Sequence, residues 1–250
     1  MGDRLQGKSA IITGGGSGFG EGMAKRFAEE GCRVLVADLN EKSAERVASE
    51  IGEAAIAIRA DVSMKSDIET MIETAIDAFE TVDILVNNAG YSHKNGTLLD
   101  VTEDDFDLIT DVNMKAIFHA TQLIVPHMRD NGGGNILTTA STAGLRPRPG
   151  LTWYNASKGW TVTATKSMAV ELAPDNIRVN CICPVAGETG MLATFMGQDT
   201  PEIRERFKSV IPLGRFSTPL DIANAALWLV SDEANFITGV ALEVDGGRCI

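Results

Sequence analysis

Seven short runs of β-branched and aliphatic residues recur along the chain: AIIT (10–13), RVLVA (33–37), AAIAI (54–58), DILVN (83–87), NILTT (135–139), IRVNCI (177–182) and VALEV (240–244). Runs this short and this continuously apolar fit strands buried on both faces. The stretches between them carry a helical period instead, as in 18–30 with Phe19, Met23 and Phe27, and 65–79 with Ile68, Ile72, Ile76 and Phe79. Strand alternating with helix predicts an α/β fold, doubly wound, in which a seven-stranded parallel sheet is covered by helices on both faces.

No proline-rich linker, low-complexity tract or fixed-period repeat divides the 250 residues, so 1–250 is expected to form one domain. The region 184–216 breaks the rhythm just after a strand end, with an irregular glycine-containing start, a short helical pattern from Pro201, and then Pro212 and Gly214. Such an insertion is placed to act as a lid over a ligand crevice. The formal net charge of −12 disfavours nucleic acid and anionic membrane surfaces and favours a small-molecule partner. No apolar run approaches the roughly 20 residues needed to span a bilayer, and the start MGDRLQGKS lacks the apolar core of a secretory signal, so a cytoplasmic protein is expected. Cys32, Cys181, Cys183 and Cys249 show neither CxxC pairing nor nearby histidines, and no metal site is expected.

Gly14, Gly18 and Gly20 follow the first strand and open the first helix, a context in which main-chain N–H groups can face a pyrophosphate. Ser17 adds a hydroxyl, and Phe19 lies within the same turn. Asp38 ends the second strand, 20 residues beyond Gly18, where a carboxylate can accept hydrogen bonds from adenosine ribose hydroxyls and repel a 2′-phosphate. Neither Gly15 nor Leu39 supplies a cation for that phosphate, which favours NAD over NADP. Asp38 also reads as a cap for the helix that begins near Glu41, and both roles are compatible. Asp61 with Val62 ends the third strand, facing an adenine or capping the next helix.

Tyr154 and Lys158 stand at i and i+4, one above the other on a helix face. A neighbouring ammonium lowers a phenol's pKa from ~10 towards the range useful for general acid/base work.

Together with the run NNAG (Asn87, Asn88, Ala89, Gly90), Asn113 and Ser141, these residues make the chain resemble the classical short-chain dehydrogenase/reductase family over nearly its whole length. The family's TGxxxGxG is matched by Thr13, Gly14, Gly18 and Gly20, its YxxxK by Tyr154 and Lys158, and Ser141 lies 13 residues before the tyrosine. The resemblance implies a Rossmann fold whose dinucleotide-binding half runs over about 8–140 and whose catalytic half runs over about 141–250. It implies a catalytic set of Asn113, Ser141, Tyr154 and Lys158. Tyr154 would be the acid/base and Ser141 would hold the substrate oxygen. Lys158 would bind the nicotinamide ribose, and Asn113 would bend the helix near 103–129 to hold a water. Where the family reads PGxxxT, Pro184 is here followed by Val185, with Gly187 and Thr189 as the residues expected to approach the cofactor.

The implied activity is an NAD-dependent oxidoreductase moving hydride between the nicotinamide and a secondary alcohol or ketone of sugar, polyol or cyclic type. The rivals are a 3-oxoacyl-carrier-protein reductase using NADPH, and an NAD-binding scaffold without turnover. The substrate pocket would draw on Tyr91, Ser92, His93 and Lys94, on Leu145, Arg146 and Arg148, and on Met191, Leu192, Phe195 and Met196. That mix can hold a polar or anionic head against an apolar wall, although both arginines also read as surface loop residues. The family's habit of assembling through two long helices implies a homotetramer. Those helices, near 103–129 and 152–173, show Phe118, Ile124, Trp160 and Val170, side chains that the parent sheet could equally absorb.

Overall fold

The computed structural model describes residues 2–250. Its strands are β1 (Ser9–Thr13), β2 (Arg33–Asp38), β3 (Ala55–Arg59), β4 (Ile84–Asn87), β5 (Gly134–Thr139), β6 (Ile177–Pro184) and β7 (Ala241–Val244). These fall on the seven apolar runs, with ends displaced by one or two residues. The helices are α1 (Gly18–Glu29), α2 (Glu41–Ile51), α3 (Lys65–Phe79), α4 (Glu103–Thr110), α5 (Ala116–Asp130), α6 (Thr152–Leu172), α7 (Leu192–Met196), α8 (Pro201–Lys208) and α9 (Pro219–Val230). All seven strands pair in parallel in the order β3-β2-β1-β4-β5-β6-β7.

The strand period of two separates the core into two layers. Ala10 and Ile12 of β1 join Val34 and Val36 of β2 in one layer, closed by Met23 and Phe27 of α1, Val47 of α2 and Ile222 of α9. Ile11, Leu35 and Ala37 point the other way, into a layer closed by Ile68 and Met71 of α3, Ile124 of α5 and Leu172 of α6. A strand with both faces buried has no solvent side to mark with polar residues, which is why its sequence reads as continuous apolar.

The chain leaves β1 towards β2 and leaves β4 towards β5 on the opposite side, so a crevice opens beyond the carboxyl ends of β1 and β4. The long helix expected near 103–129 is α4 and α5 joined by a five-residue π-helical turn, Asp111–Lys115, with Asn113 at its centre. Its apolar face divides. Ile124 is fully buried against the sheet, whereas Phe118 and, on α6, Trp160 and Val170 remain exposed. The region 184–216 folds as α7 and α8 around a separate small apolar cluster of Val185, Leu192, Met196, Ile211 and Phe216. Among the described residues no helix is long and apolar enough to cross a membrane.

Phe27 is among the largest side chains with no exposed surface, and it joins α1 to the sheet. Phe27→Ala is expected to lower unfolding free energy by about 3–5 kcal/mol, read as a shift in the urea midpoint with an unchanged m-value.

Candidate active site

A cavity of about 1040 Å³ fills the crevice and runs from the β1–α1 turn to the 184–216 segment. Pockets for small ligands span roughly 300–1,000 Å³, so this one stands at the upper end of the range. Gly14, Ser17, Gly18 and Phe19 line one end. Ser17 takes the N-cap position of α1 but makes no side-chain capping bond, which leaves the first-turn N–H groups open to an anion. Gly20, expected at the cofactor, does not line the cavity. A Cβ there would run into the Gly14 carbonyl, so its missing side chain serves the close passage of helix past turn.

Asp38 closes this end. Its Oδ2 accepts from the Gly16 N–H at 2.9 Å and its Oδ1 from the Asn40 N–H at 2.9 Å. The alternative reading as a cap for α2 is corrected, because Asn40 takes that place with its Oδ1 accepting from the Ser43 N–H at 3.2 Å. Asp61 does not cap α3 either. It accepts from the Ser63 N–H at 3.0 Å and the Ser63 hydroxyl at 2.6 Å, which fixes the turn that presents Asp61 and Val62 to the cavity.

Thr13 ties the two sides of the crevice together. Its Oγ1 accepts from the N–H groups of Asn88 and Ala89, each at 3.0 Å, and lies 3.3 Å from the Val86 carbonyl to which it donates. Asn88 in turn donates from Nδ2 to the Thr13 carbonyl at 3.0 Å and accepts from the Thr139 hydroxyl at 3.1 Å. Sequence reasoning placed Thr13 only as a motif letter and missed Thr139.

Ser141 follows β5, and Tyr154 and Lys158 occupy the first two turns of α6; all three line the cavity. The Lys158 ammonium donates to the Thr139 carbonyl at 2.8 Å and lies 5.7 Å from the centre of the Tyr154 ring. Asn113 stands behind the cavity wall. Its Oδ1 accepts from the Tyr91 N–H at 2.9 Å, and its Nδ2 donates to the Tyr91 carbonyl at 2.9 Å and to the Ser157 hydroxyl at 3.0 Å. The π-helical turn therefore clasps the loop after Gly90 to the residue preceding Lys158.

Burial dominates the electrostatics. It pushes the Tyr154 phenol up to about 12, a rise that the Ser141 hydroxyl partly opposes, and it pushes the Lys158 ammonium down to about 8. The expectation that Lys158 brings the phenol into the neutral range is thus corrected: both groups are 5–6 % exposed, and desolvation is the largest cause of each shift.

At the far end, Gly187 and Thr189 line the cavity. Gly187 bridges to Ser217, and a Cβ on it would run into the Phe19 ring. Val185, in the position of the family's usual glycine, is buried in the small cluster under α7. Tyr91 lines the cavity with its hydroxyl donating to Asp105 at 2.6 Å, whereas His93 is buried outside it. Phe195 packs at 5.2 Å from the Tyr154 ring. Arg146 and Arg148 line this end together with Phe207 and Arg248, two residues the sequence reading did not single out. Among the described residues no group of three or more His, Cys, Asp or Glu side chains could hold a metal ion, and all four cysteines are free.

Residues 14–248 match a family model described as enoyl-(acyl carrier protein) reductase. The chain is 47% identical over 245 residues to a 4-formylbenzenesulfonate dehydrogenase of Comamonas testosteroni, covering 96% of this chain and 97% of the relative. It superposes with a TM-score of 0.94 and 50% identity on the crystal structure of a 3-ketoacyl-(acyl-carrier-protein) reductase from Brucella melitensis complexed with NADH, covering 98% and 100% of the two chains. A 7α-hydroxysteroid dehydrogenase complexed with NADH and 7-oxoglycochenodeoxycholic acid matches with a TM-score of 0.92 and 39% identity over 98% and 95%.

A lysine held near 8 in the fold and near 10.5 when unfolded binds fewer protons folded than unfolded between those values, so stability rises with pH there. Tyr154 acts in the opposite sense above pH 10, where the unfolded phenol ionises first. Lys158→Met is expected to raise stability at pH 7 by about 1–3 kcal/mol and to flatten the rise between pH 8 and 10, both read from denaturation midpoints.

Proposed function

The chain belongs to the classical short-chain dehydrogenase/reductase family, and on that premise we propose that it is an NAD-dependent oxidoreductase interconverting a secondary alcohol and its ketone. The observation that carries this reading is one cavity lined by Asp38 and the α1 N-terminus at one end and by Ser141, Tyr154 and Lys158 further along. The residues fit the cofactor. The uncapped first turn of α1 suits a pyrophosphate. Each Asp38 oxygen accepts only one main-chain bond, so it retains lone pairs for ribose hydroxyls and a charge that repels a 2′-phosphate. The nicotinamide, when bound, supplies the hydride donor or acceptor.

The chain's own residues supply the rest. The Ser141 hydroxyl is placed to hold the substrate oxygen beside the Tyr154 phenol. A phenol near 12 beside an ammonium near 8 is protonated at neutral pH, so Tyr154 stands ready to donate a proton to a forming alkoxide. Oxidation needs the phenolate, and the pair favours it only as pH rises. Asn113 fixes both the loop after Gly90 and the start of the Lys158 turn, and so keeps these groups in register. A tetrameric assembly through the exposed faces of α5 and α6 accords with Phe118, Trp160 and Val170 lying at the surface.

The carrier-protein reductase remains the second reading, supported by the Brucella relative. Absorbance at 340 nm over secondary alcohols, their ketones and 3-oxoacyl thioesters, with NAD(H) and NADP(H) in parallel, separates the two. Turnover with NAD(H) on alcohols is expected; turnover confined to NADPH and thioesters would sink the proposal. Tyr154→Phe is expected to lower kcat by about 10²–10⁴ with NADH affinity retained. Asp38→Ala is expected to weaken NADH binding by about ten- to a hundredfold while easing entry of NADPH. In wild-type protein, alcohol oxidation should accelerate between pH 7 and 10, while ketone reduction, whose phenol stays protonated over that range, holds steady.

A further inference from the structure

We infer that Arg148 and Arg248 form an oxyanion subsite at the far end of the cavity, so that the substrate is a ketone or alcohol on an apolar body bearing a carboxylate or sulfonate away from the reacting carbon. The inference rests on the oxidoreductase reading of the same cavity and names the substrate class within it.

Two guanidinium groups converge there from positions 100 residues apart, in a chain whose net charge is −12. Neither forms an ion pair among the described residues, although fifteen such pairs involve other side chains. The Arg248 Nε–H is buried with no acceptor. Arg148 is held below the usual arginine range, at about 10, first by burial and then by the charge of Arg248. Two like charges brought together with no carboxylate in ion-pair contact are a standing electrostatic cost, which a bound oxyanion reduces. Among the described residues the acids lining the cavity are Asp38 and Asp61, which stand at the carboxyl ends of β2 and β3, away from the two arginines.

Both arginines are held by main-chain anchors. The Arg148 carbonyl accepts from the Asn155 side chain at 2.7 Å, next to Tyr154 in sequence. The Asp245 carboxylate gathers the N–H groups of Gly247 and Cys249, at 2.8 and 2.7 Å, on either side of Arg248. Arg146 has a different task, since it donates to the main-chain oxygens of Arg248 and Ile250 at 2.9 and 3.0 Å and so tethers the segment that carries Arg248. Between catalytic and basic ends the wall is aromatic: Phe195 against Tyr154, and Phe207 beneath the Arg148 guanidinium at 4.7 Å. That sequence of surfaces describes a carbinol, then an apolar body, then an anion.

The test uses four probes of one shape: 4-acetylbenzenesulfonate, 4-acetylbenzoate, uncharged 4-methylacetophenone and cationic 4-acetylphenyltrimethylammonium. Each is titrated calorimetrically into full-length protein with and without NAD, and assayed for NADH oxidation. The two anions are expected to bind, and to react, at least about tenfold better than the neutral ketone, with the cation weakest. Arg148→Gln and Arg248→Gln should each reduce the anion-to-neutral ratio about tenfold, chiefly through KM, and Arg148→Lys should restore part of it. NADH affinity in the variants reports whether they fold. A ratio near one in the wild-type protein, or one that neither glutamine variant changes, overturns the inference. So does a preference for 3-oxoacyl thioesters on an acidic carrier protein, lost in the variants, without selectivity among the small anions. Anion-selective binding without NADH oxidation would leave the subsite standing and remove the oxidoreductase reading; NADH oxidation without charge selectivity would do the reverse.

Discussion

Everything at the site depends on the reversal of winding between β1 and β4, two parallel neighbours whose chains depart in opposite directions. No connection crosses the gap above them, so a crevice persists there whatever the side chains. The loops on its two sides still need a tie to fix their relative position. Thr13 is that tie, gathering two N–H groups of the loop after β4 on one hydroxyl oxygen. Asn88 extends the link to β5, whose last carbonyl holds Lys158. The end of β1, the loop after β4, the end of β5 and Lys158 thus form one hydrogen-bonded chain, and the site's geometry is a property of the sheet rather than of any single loop.

That chain confines an ammonium and a phenol in a desolvated place. The fold gives up stability to do so, which is the usual relation between an active site and its scaffold. What results is a phenol whose protonation is set by its surroundings and a lysine that remains charged near neutrality while close to release. Small changes in local charge, such as a cationic ring or an alkoxide, then act on groups already far from their solution behaviour.

How much of this could be read in the sequence follows from the range of each interaction. The strands were legible because burial on both faces leaves an unbroken apolar signature, and Tyr154 with Lys158 because helical spacing alone sets them side by side. Helix caps were less so. Asp38 and Asn40 are both plausible caps two residues apart, and only the main chain decides that Asn40 bonds Ser43 while Asp38 reaches Gly16. The faces of the long helices were ambiguous for a related reason: Ile124 and Phe118 are equally apolar, and which one meets the sheet depends on the π-helical turn that resets the helix phase at Asn113. The meeting of Arg148 with Arg248 was out of reach, since it joins a loop before α6 to the segment after β7. The raised phenol was missed because desolvation is a property of the assembled core, not of a neighbour four residues away.

The apolar cluster around Val185 is separate from both layers of the main core. Its side chains come from β6's exit and from the segment over the cavity, and none belongs to α1, α3 or α9. The segment over the cavity is therefore held by far fewer buried apolar side chains than the sheet. A segment so held opens at a lower free energy than global unfolding, so its amides are expected to exchange before those of the strands beneath it.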